Sequence, residues 1–226
     1  VQQVAELLSV DPSLSAKLLK LVNSAYFGIP GGVTDVARAI PFVGFNTIYQ
    51  LVLTVSVLET LNIPGVGTFD PRALWLHSLA VGATARVIGE ELRHPDPGAL
   101  FTAGLLHDMG KIAQAKVMPA QLIAAQALMA KDGLTSTQAE VELGLLGHDR
   151  IGNELAKRWR LPSVLAVAID CHHSVTRPEV RDRLATPLRT AAEVVAVANV
   201  VARDIVTSVD DTMPEPGDDV PALALL

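Results

Sequence analysis

The chain has 226 residues, half of them hydrophobic, and a formal net charge of −6; that is enough to bury a full core, while the negative balance argues against a general nucleic-acid surface, which needs a positive field. The single cysteine, Cys171, excludes an intrachain disulfide and fits a reducing cytoplasm. Apolar runs such as residues 51–58 are interrupted by Thr54 and Ser56 and are too short to cross a bilayer, and no secretory signal pattern opens the chain, so a cytoplasmic protein without a membrane contact is expected.

The sequence begins at Val1 already inside a helical pattern, as a domain cut from a longer protein would. Asp11-Pro12 supplies an N-cap and a first-turn proline ahead of Leu14, Leu18, Leu19, Leu21 and Val22 at helical spacing. Pro41 within AIPFVGF predicts the end or a kink of a short helix. LVLTVSVL, residues 51–58, is β-branched enough for a strand but lies in a longer apolar pattern and reads as a buried helix. NIPGVGTFD, residues 62–70, is the softest internal boundary. Asp70-Pro71 then repeats the cap-and-proline device before Leu74, Leu76, Leu79, Val81 and Val87. Pro97, Pro119 and Pro162 mark further starts, Gly133 a stop, Thr135 with Gln138 a capping box, and Pro187 opens the last long helix. No stretch alternates with period two for long enough to make a strand. The expectation is an all-α protein of roughly ten to twelve helices. Its parts would be an N-terminal helical lobe over 1–65, a larger lobe over 66–209, and an acidic, proline-rich tail over 210–226.

The chain carries six histidines. His94, in the polar turn RHPDP, reads as a surface residue. The other five fall where a bundle can aim them at one another: His77 mid-helix, His107 beside Asp108 at a helix end, His148 at a helix start, and His172-His173 at another end. Neighbouring residues on a helix point about 100° apart, so an adjacent pair chelates only at a frayed end, or through a carboxylate that bridges two ions. Imidazole suits iron, manganese, nickel or zinc better than magnesium or calcium. One such histidine alone is more simply a satisfied core residue; five with a carboxylate point to a metal. Among the other polar groups, Lys111 fits a cation at a helix C-terminus. Asp170, three residues before His173, is placed either to orient it or to face solvent, and Asp149 reads as a cap-region carboxylate. Trp75 and Trp159 read as core.

With HDMGK after an apolar helix, His77 before it and His148 and His172-His173 behind, the chain resembles the HD superfamily of metal-dependent phosphohydrolases. DPSLSAKLLKLVNSAYFGIP and TDVARAIPFVGFNTIYQLVL resemble the HDOD domain, a bacterial signalling module related to HD and HD-GYP phosphodiesterases, with a match over about residues 4–205. NSAYFG by itself is accounted for as a polar helix stop whose aromatics return to the core. The resemblance implies a helical HD-type bundle with an additional N-terminal lobe. It also implies metal ligands at His77, His107, Asp108, His148, His172, His173 and a late aspartate, for one or two divalent transition ions, and Lys111 as a phosphate contact. At the late position stands Asn199, a neutral and weaker or lost ligand, and SVTRPEV replaces the GYP segment; both count against cyclic-di-GMP hydrolysis. The implied function is a signal-transduction output module with a largely retained metal site. The alternative is a metal-dependent phosphohydrolase or phosphodiesterase acting on a nucleotide or phosphodiester. The implied partners are a signalling protein or an upstream sensory or receiver domain, with a nucleotide or phosphate as a further ligand.

Overall fold

The computed structural model describes residues 12–23, 27–45, 47–49, 51–52, 55 and 65–210. Eleven helices and no strand occur among them, with one isolated bridge between Val66 and Phe69. None of the helices searched is long and apolar enough to cross a membrane. Contacts divide the chain into two compact units, one of residues 1–60 with 209–226 and one of Leu61–Ser208. The Asp11 cap, the centre of NSAYFGIP, most of LVLTVSVL, the start of NIPGVGTFD and the tail after Asp210 lie outside the described residues.

In the first unit, α1 spans Pro12–Val22 and α2 spans Val36–Val43. Asn23 follows α1 and brackets the returning chain: its Oδ1 accepts from the Val33 backbone N–H at 2.7 Å and its Nδ2 donates to the Val33 carbonyl at 2.9 Å. The side-chain amide thus offers both hydrogen-bonding halves of a peptide group, which gives the helix stop read in NSAYFG a second task. Asp35 caps α2 by accepting from Arg38 N–H at 2.9 Å. Pro41 sits inside α2, which ends two residues later at Val43 and is capped by Gly44 with φ 85°. Where 51–58 is described, residues 51, 52 and 55 are helical and Leu51 and Val55 are buried.

The second unit holds α3 (Pro71–Glu91), α4 (Pro97–Leu106), α5 (Met109–Val117), α6 (Pro119–Asp132), α7 (Ser136–Glu142), α8 (His148–Arg158), α9 (Ser163–Cys171), α10 (Pro178–Arg181) and all but the last two residues of α11 (Thr186–Asp210). Their ends follow local chemistry. Asp70 accepts from Arg72 N–H at 2.8 Å, Asp96 from Ala99 N–H at 2.9 Å, the Thr135–Gln138 box is formed, and Gly133 closes α6 at φ 67°. Every residue of α4 from Ala99 to Leu106 is buried, so this helix is apolar all round and runs through the centre of the unit. It packs on α3 at Gly82 and Gly104, where a Cβ on Gly104 would come within 2.8 Å of the Gly82 Cα. Helix α4 also contacts α9, and α8 contacts both α5 and α9. Trp75 and Trp159 are half-buried rather than core, and so is His94, whose Nδ1 accepts from the Asp96 N–H at 3.1 Å. These side chains sit at edges of the bundle, which a helical pattern cannot distinguish from its centre.

Gly110, in the first turn of α5, lies against the start of α8 so closely that a Cβ would collide with the His148 carbonyl. The obstacle is backbone, so one of two helices must move. Overpacking of this kind costs about 1–3 kcal/mol. Gly110→Ala is expected to lower the Tm by about 3–10 °C, read by circular dichroism; an unchanged Tm would show that the two helix starts do not meet there.

Candidate metal centre

The His107-Asp108 pair occupies the break between two helices. His107 caps α4, and Asp108, with φ −101° and ψ 13°, leaves the helical conformation before α5 begins. The break removes the 100° rule, and two adjacent side chains can face one point. It also moves Lys111: the residue lies in the first turn of α5, not at a helix C-terminus as the sequence suggested. A cation there opposes the helix dipole, and Lys111 instead donates from Nζ to Asp108 Oδ2 at 2.6 Å.

Asp108 is the shared member of two donor groups. One comprises Asp108, His148, His172 and His173; the other comprises His77, His107 and Asp108. His148 Nε2 lies 3.2 Å from Asp108 Oδ1 and 3.0 Å from His173 Nε2, and His172 Nε2 lies 3.7 Å from the same Oδ1. His107 Nε2 is 3.3 Å from Oδ2, and Asn199 Oδ1 is 3.0 Å from His77 Nε2. Thus His77, His148, His172, His173 and Asn199 come together with the pair at the α4–α5 break. His107, Asp108, His148 and His172 are all buried to within a few per cent, whereas His77 and His173 are half-buried.

The rings are oriented from behind. His107 Nδ1 is 2.6 Å from the Gly104 carbonyl, His172 Nδ1 is 2.8 Å from the Ile169 carbonyl, and His148 Nδ1 is 2.9 Å from the Glu140 carboxylate. Carbonyl and carboxylate oxygens only accept, so in the neutral ring each Nδ1 carries the proton and each Nε2 lone pair points forward. There, His107 Nε2, His172 Nε2 and Asp108 Oδ1 are buried with no hydrogen-bond partner. The 3.2 Å contact from His148 to Oδ1 has hydrogen-bond length without its direction, and the 3.7 Å contact from His172 is longer than a hydrogen bond. Each orphaned buried group costs about 1–3 kcal/mol, and three in one place need a common partner. Two donors each about 2.0–2.1 Å from one zinc ion stand about 2.8–3.4 Å apart at angles near 90–109°. The contacts of 3.0 and 3.2 Å already have that spacing. The donor set fits a divalent metal.

Protonation states agree for His77, His172, His173 and the two carboxylates, while His148 holds its proton more tightly. Burial, reinforced by neighbouring imidazoles, pushes His172 down to about 4 and His173 down to about 2, and burial also lowers His77. Burial would raise the Asp108 carboxyl, but His107 and Lys111 outweigh it and hold it well below its usual range. Glu140 is likewise lowered, with burial outweighed by His148. Burial opposes a charge on His148, but its contacts with Asp108 and Glu140 prevail and raise its pKa. Neutral His172 and His173 beside ionised carboxylates are the forms that coordinate a cation.

Glu140 is the residue that sequence reasoning missed. It lies in the short helix α7, accepts from the His148 N–H at 3.2 Å as well as from its ring, and takes a 2.8 Å bond from Gln114 Nε2. The available signal was its place eight residues before His148, which does not separate it from an exposed helix acid. Asp170 turns away from His173 and pairs with Arg150 at 3.1 Å. Cys171 is buried and free, and burial together with Asp170 raises its thiol to about 11, so it is not a thiolate ligand. A cavity of about 500 Å³ opens over His77, His173, Lys111 and Asn199, with Arg203 and Thr137 on its walls. The Thr137 hydroxyl is buried without a hydrogen-bond partner.

The HDOD domain family matches residues 1–175, and the chain belongs to that family. The match stops before α11, so Asn199 lies beyond it. A solved structure of a candidate phosphohydrolase from Shewanella amazonensis is 29% identical, superposes with a TM-score of 0.75, and covers 95% of this chain and 71% of its own. A response regulator from Methylococcus capsulatus is 28% identical with a TM-score of 0.51, covering 89% and 77%. An uncharacterized protein of Treponema pallidum is 29% identical over 180 residues; the match covers 77% of this chain, which spans about a third of that relative, 34%.

Two measurements probe this centre. Glu140→Gln keeps the shape behind His148 but removes the charge, and a competitive chelator titration is expected to show metal affinity reduced about 10–100-fold. In chelator-treated protein, His172 and His173 take up protons in the unfolded chain near pH 6.5 but in the folded one only near their lowered values. The unfolded state therefore binds more protons in between, and stability is expected to fall as pH drops from about 6.5 towards 4. Urea midpoints that stayed level over that window would contradict the buried, neutral assignment.

Proposed function

We propose that this chain is a signal-transduction output module of the HDOD family whose HD-type pocket holds at least one divalent transition ion, drawn from iron, manganese, nickel or zinc. The observation that carries the reading is the trio of orphaned buried atoms, His107 Nε2, His172 Nε2 and Asp108 Oδ1, together with the Nδ1 bonds that aim the rings. Ligands on α8, on the end of α9 and at the α4–α5 break would make the ion a clamp across three parts of the bundle. Family membership and the likeness to a response regulator support an upstream receiver or sensory domain as the input. The single buried thiol supports a cytoplasmic setting. The lobes would divide the work, with residues 1–65 and 66–209 as separate helical parts and 210–226 as a tail.

The second reading, a metal-dependent phosphohydrolase for a nucleotide or phosphodiester, is favoured by the cavity beside the centre. In it, a bound ion would polarise a phosphoryl oxygen and provide hydroxide from water. Lys111 and Arg203 line that cavity and would balance phosphate charge, and the Thr137 hydroxyl is available as a donor. The missing GYP segment and Asn199 weigh against cyclic-di-GMP as the substrate.

Protein purified without chelator is expected to contain at least one divalent ion by elemental analysis. His107→Ala combined with Asp108→Ala should remove it and lower the Tm while the N-terminal unit stays folded. Trace occupancy after reconstitution would end both readings. A screen of cyclic dinucleotides and nucleoside phosphates separates them: turnover abolished by His148→Ala makes the protein an enzyme, and persistent inactivity of the loaded protein leaves the module.

A further inference from the structure

The two donor groups that share Asp108 are not equivalent. On the Oδ1 side stand three imidazoles: His148, His172 and His173, with His148 Nε2 at 3.2 Å and His172 Nε2 at 3.7 Å from Oδ1, and His173 Nε2 at 3.0 Å from His148 Nε2. Behind them the Glu140 carboxylate bonds to His148 and adds negative charge. On the Oδ2 side the carboxylate oxygen already holds the Lys111 ammonium at 2.6 Å. There His77 Nε2 is engaged with the neutral Asn199 amide oxygen at 3.0 Å, and His77 lies in the field of both Lys111 and Arg203. His107 Nε2 is the donor of that group left without a partner, and the oxygen it faces is the one Lys111 holds. One side thus offers four donors backed by a second carboxylate. The other offers one free imidazole, a shared oxygen and two nearby cations.

We infer that this chain binds a single divalent ion through Asp108 Oδ1, His148, His172 and His173, and that the Lys111 ammonium takes the place of a second ion on the Oδ2 side. The inference rests on the metal-binding reading above and narrows it to one subsite. Two divalent ions would bring four positive charges to a cluster with one bridging carboxylate and an ammonium in contact with it; one ion brings two, shared between Asp108 and Glu140. Asn199 does not restore the balance, because an amide carries no charge. Four protein donors also complete a tetrahedral shell, which is how zinc sites that serve structure are built, whereas an ion that prefers six ligands would keep open positions beside the cavity.

The test uses Co²⁺ alone as the probe, with the full chain. Apo protein is dialysed against Co²⁺, its bound metal is counted by elemental analysis, and the donors around cobalt are counted by X-ray absorption. The expected result is one ion per chain with three imidazoles. His173→Ala should weaken binding by more than about tenfold, and Asn199→Asp with Lys111→Met should raise the count from one to two. Two ions in the unaltered chain, or one ion with two imidazoles, would overturn the inference while leaving metal binding intact. Full retention of the ion by folded His173→Ala, or a count still at one in the folded double variant, would do the same. No bound ion at all would remove the metal-binding reading itself. The imidazole count needs no variant, so it decides even if a substituted chain fails to fold.

Discussion

A histidine ring becomes a ligand only when something else decides which nitrogen carries the proton. Here that decision is made behind the rings: Gly104 and Ile169 carbonyls and the Glu140 carboxylate take the three Nδ1 protons, and three Nε2 lone pairs are left facing inward. The rest of the centre follows from this constraint. Two of those acceptors are carbonyls three residues before the histidine, so the ends of α4 and α9 orient their own terminal side chains. The third comes from α7, which ties that helix to α8 through a bond between two nearly fully buried groups.

Orientation needs position as well, and position comes from the packing of small residues. Helix α4 carries His107 into the centre of the unit because it is apolar on all sides and because Gly82 and Gly104 let α3 approach it. Gly110 does the same for the starts of α5 and α8, bringing the His148 backbone onto the turn that follows Asp108. The HD pair then works as a joint: one residue ends a helix, the next precedes another, and the lost helical geometry lets both side chains turn to one side. A metal held there would join three elements of the bundle.

Charge divides the joint into unlike halves. The Glu140 carboxylate stands behind His148 on one side, and Lys111 and Arg203 border the other side beside the cavity. The same asymmetry bears on the two functional readings. A cationic wall next to a metal is useful for an anionic ligand, and a closed four-donor shell is useful for a clamp. Which use prevails depends on the ion's preferred coordination as much as on the protein.

The amino-acid order alone determined what is settled within a few residues. Proline at helix starts, the aspartate cap at Asp70, the Thr135–Gln138 box and the Gly133 stop act over one turn, and an all-helical chain follows from them. The imidazole set was legible as well, because five histidines at helix ends and in mid-helix are a strong compositional signal. Tertiary structure decided everything that depends on who stands across the gap. Glu140 became the partner of His148, Asp170 turned to Arg150 instead of His173, and Lys111 moved from an expected helix end to a helix start on Asp108. Hydrogen bonds and fields act over a few ångströms in space, and sequence spacing says nothing of those distances until the helices have packed.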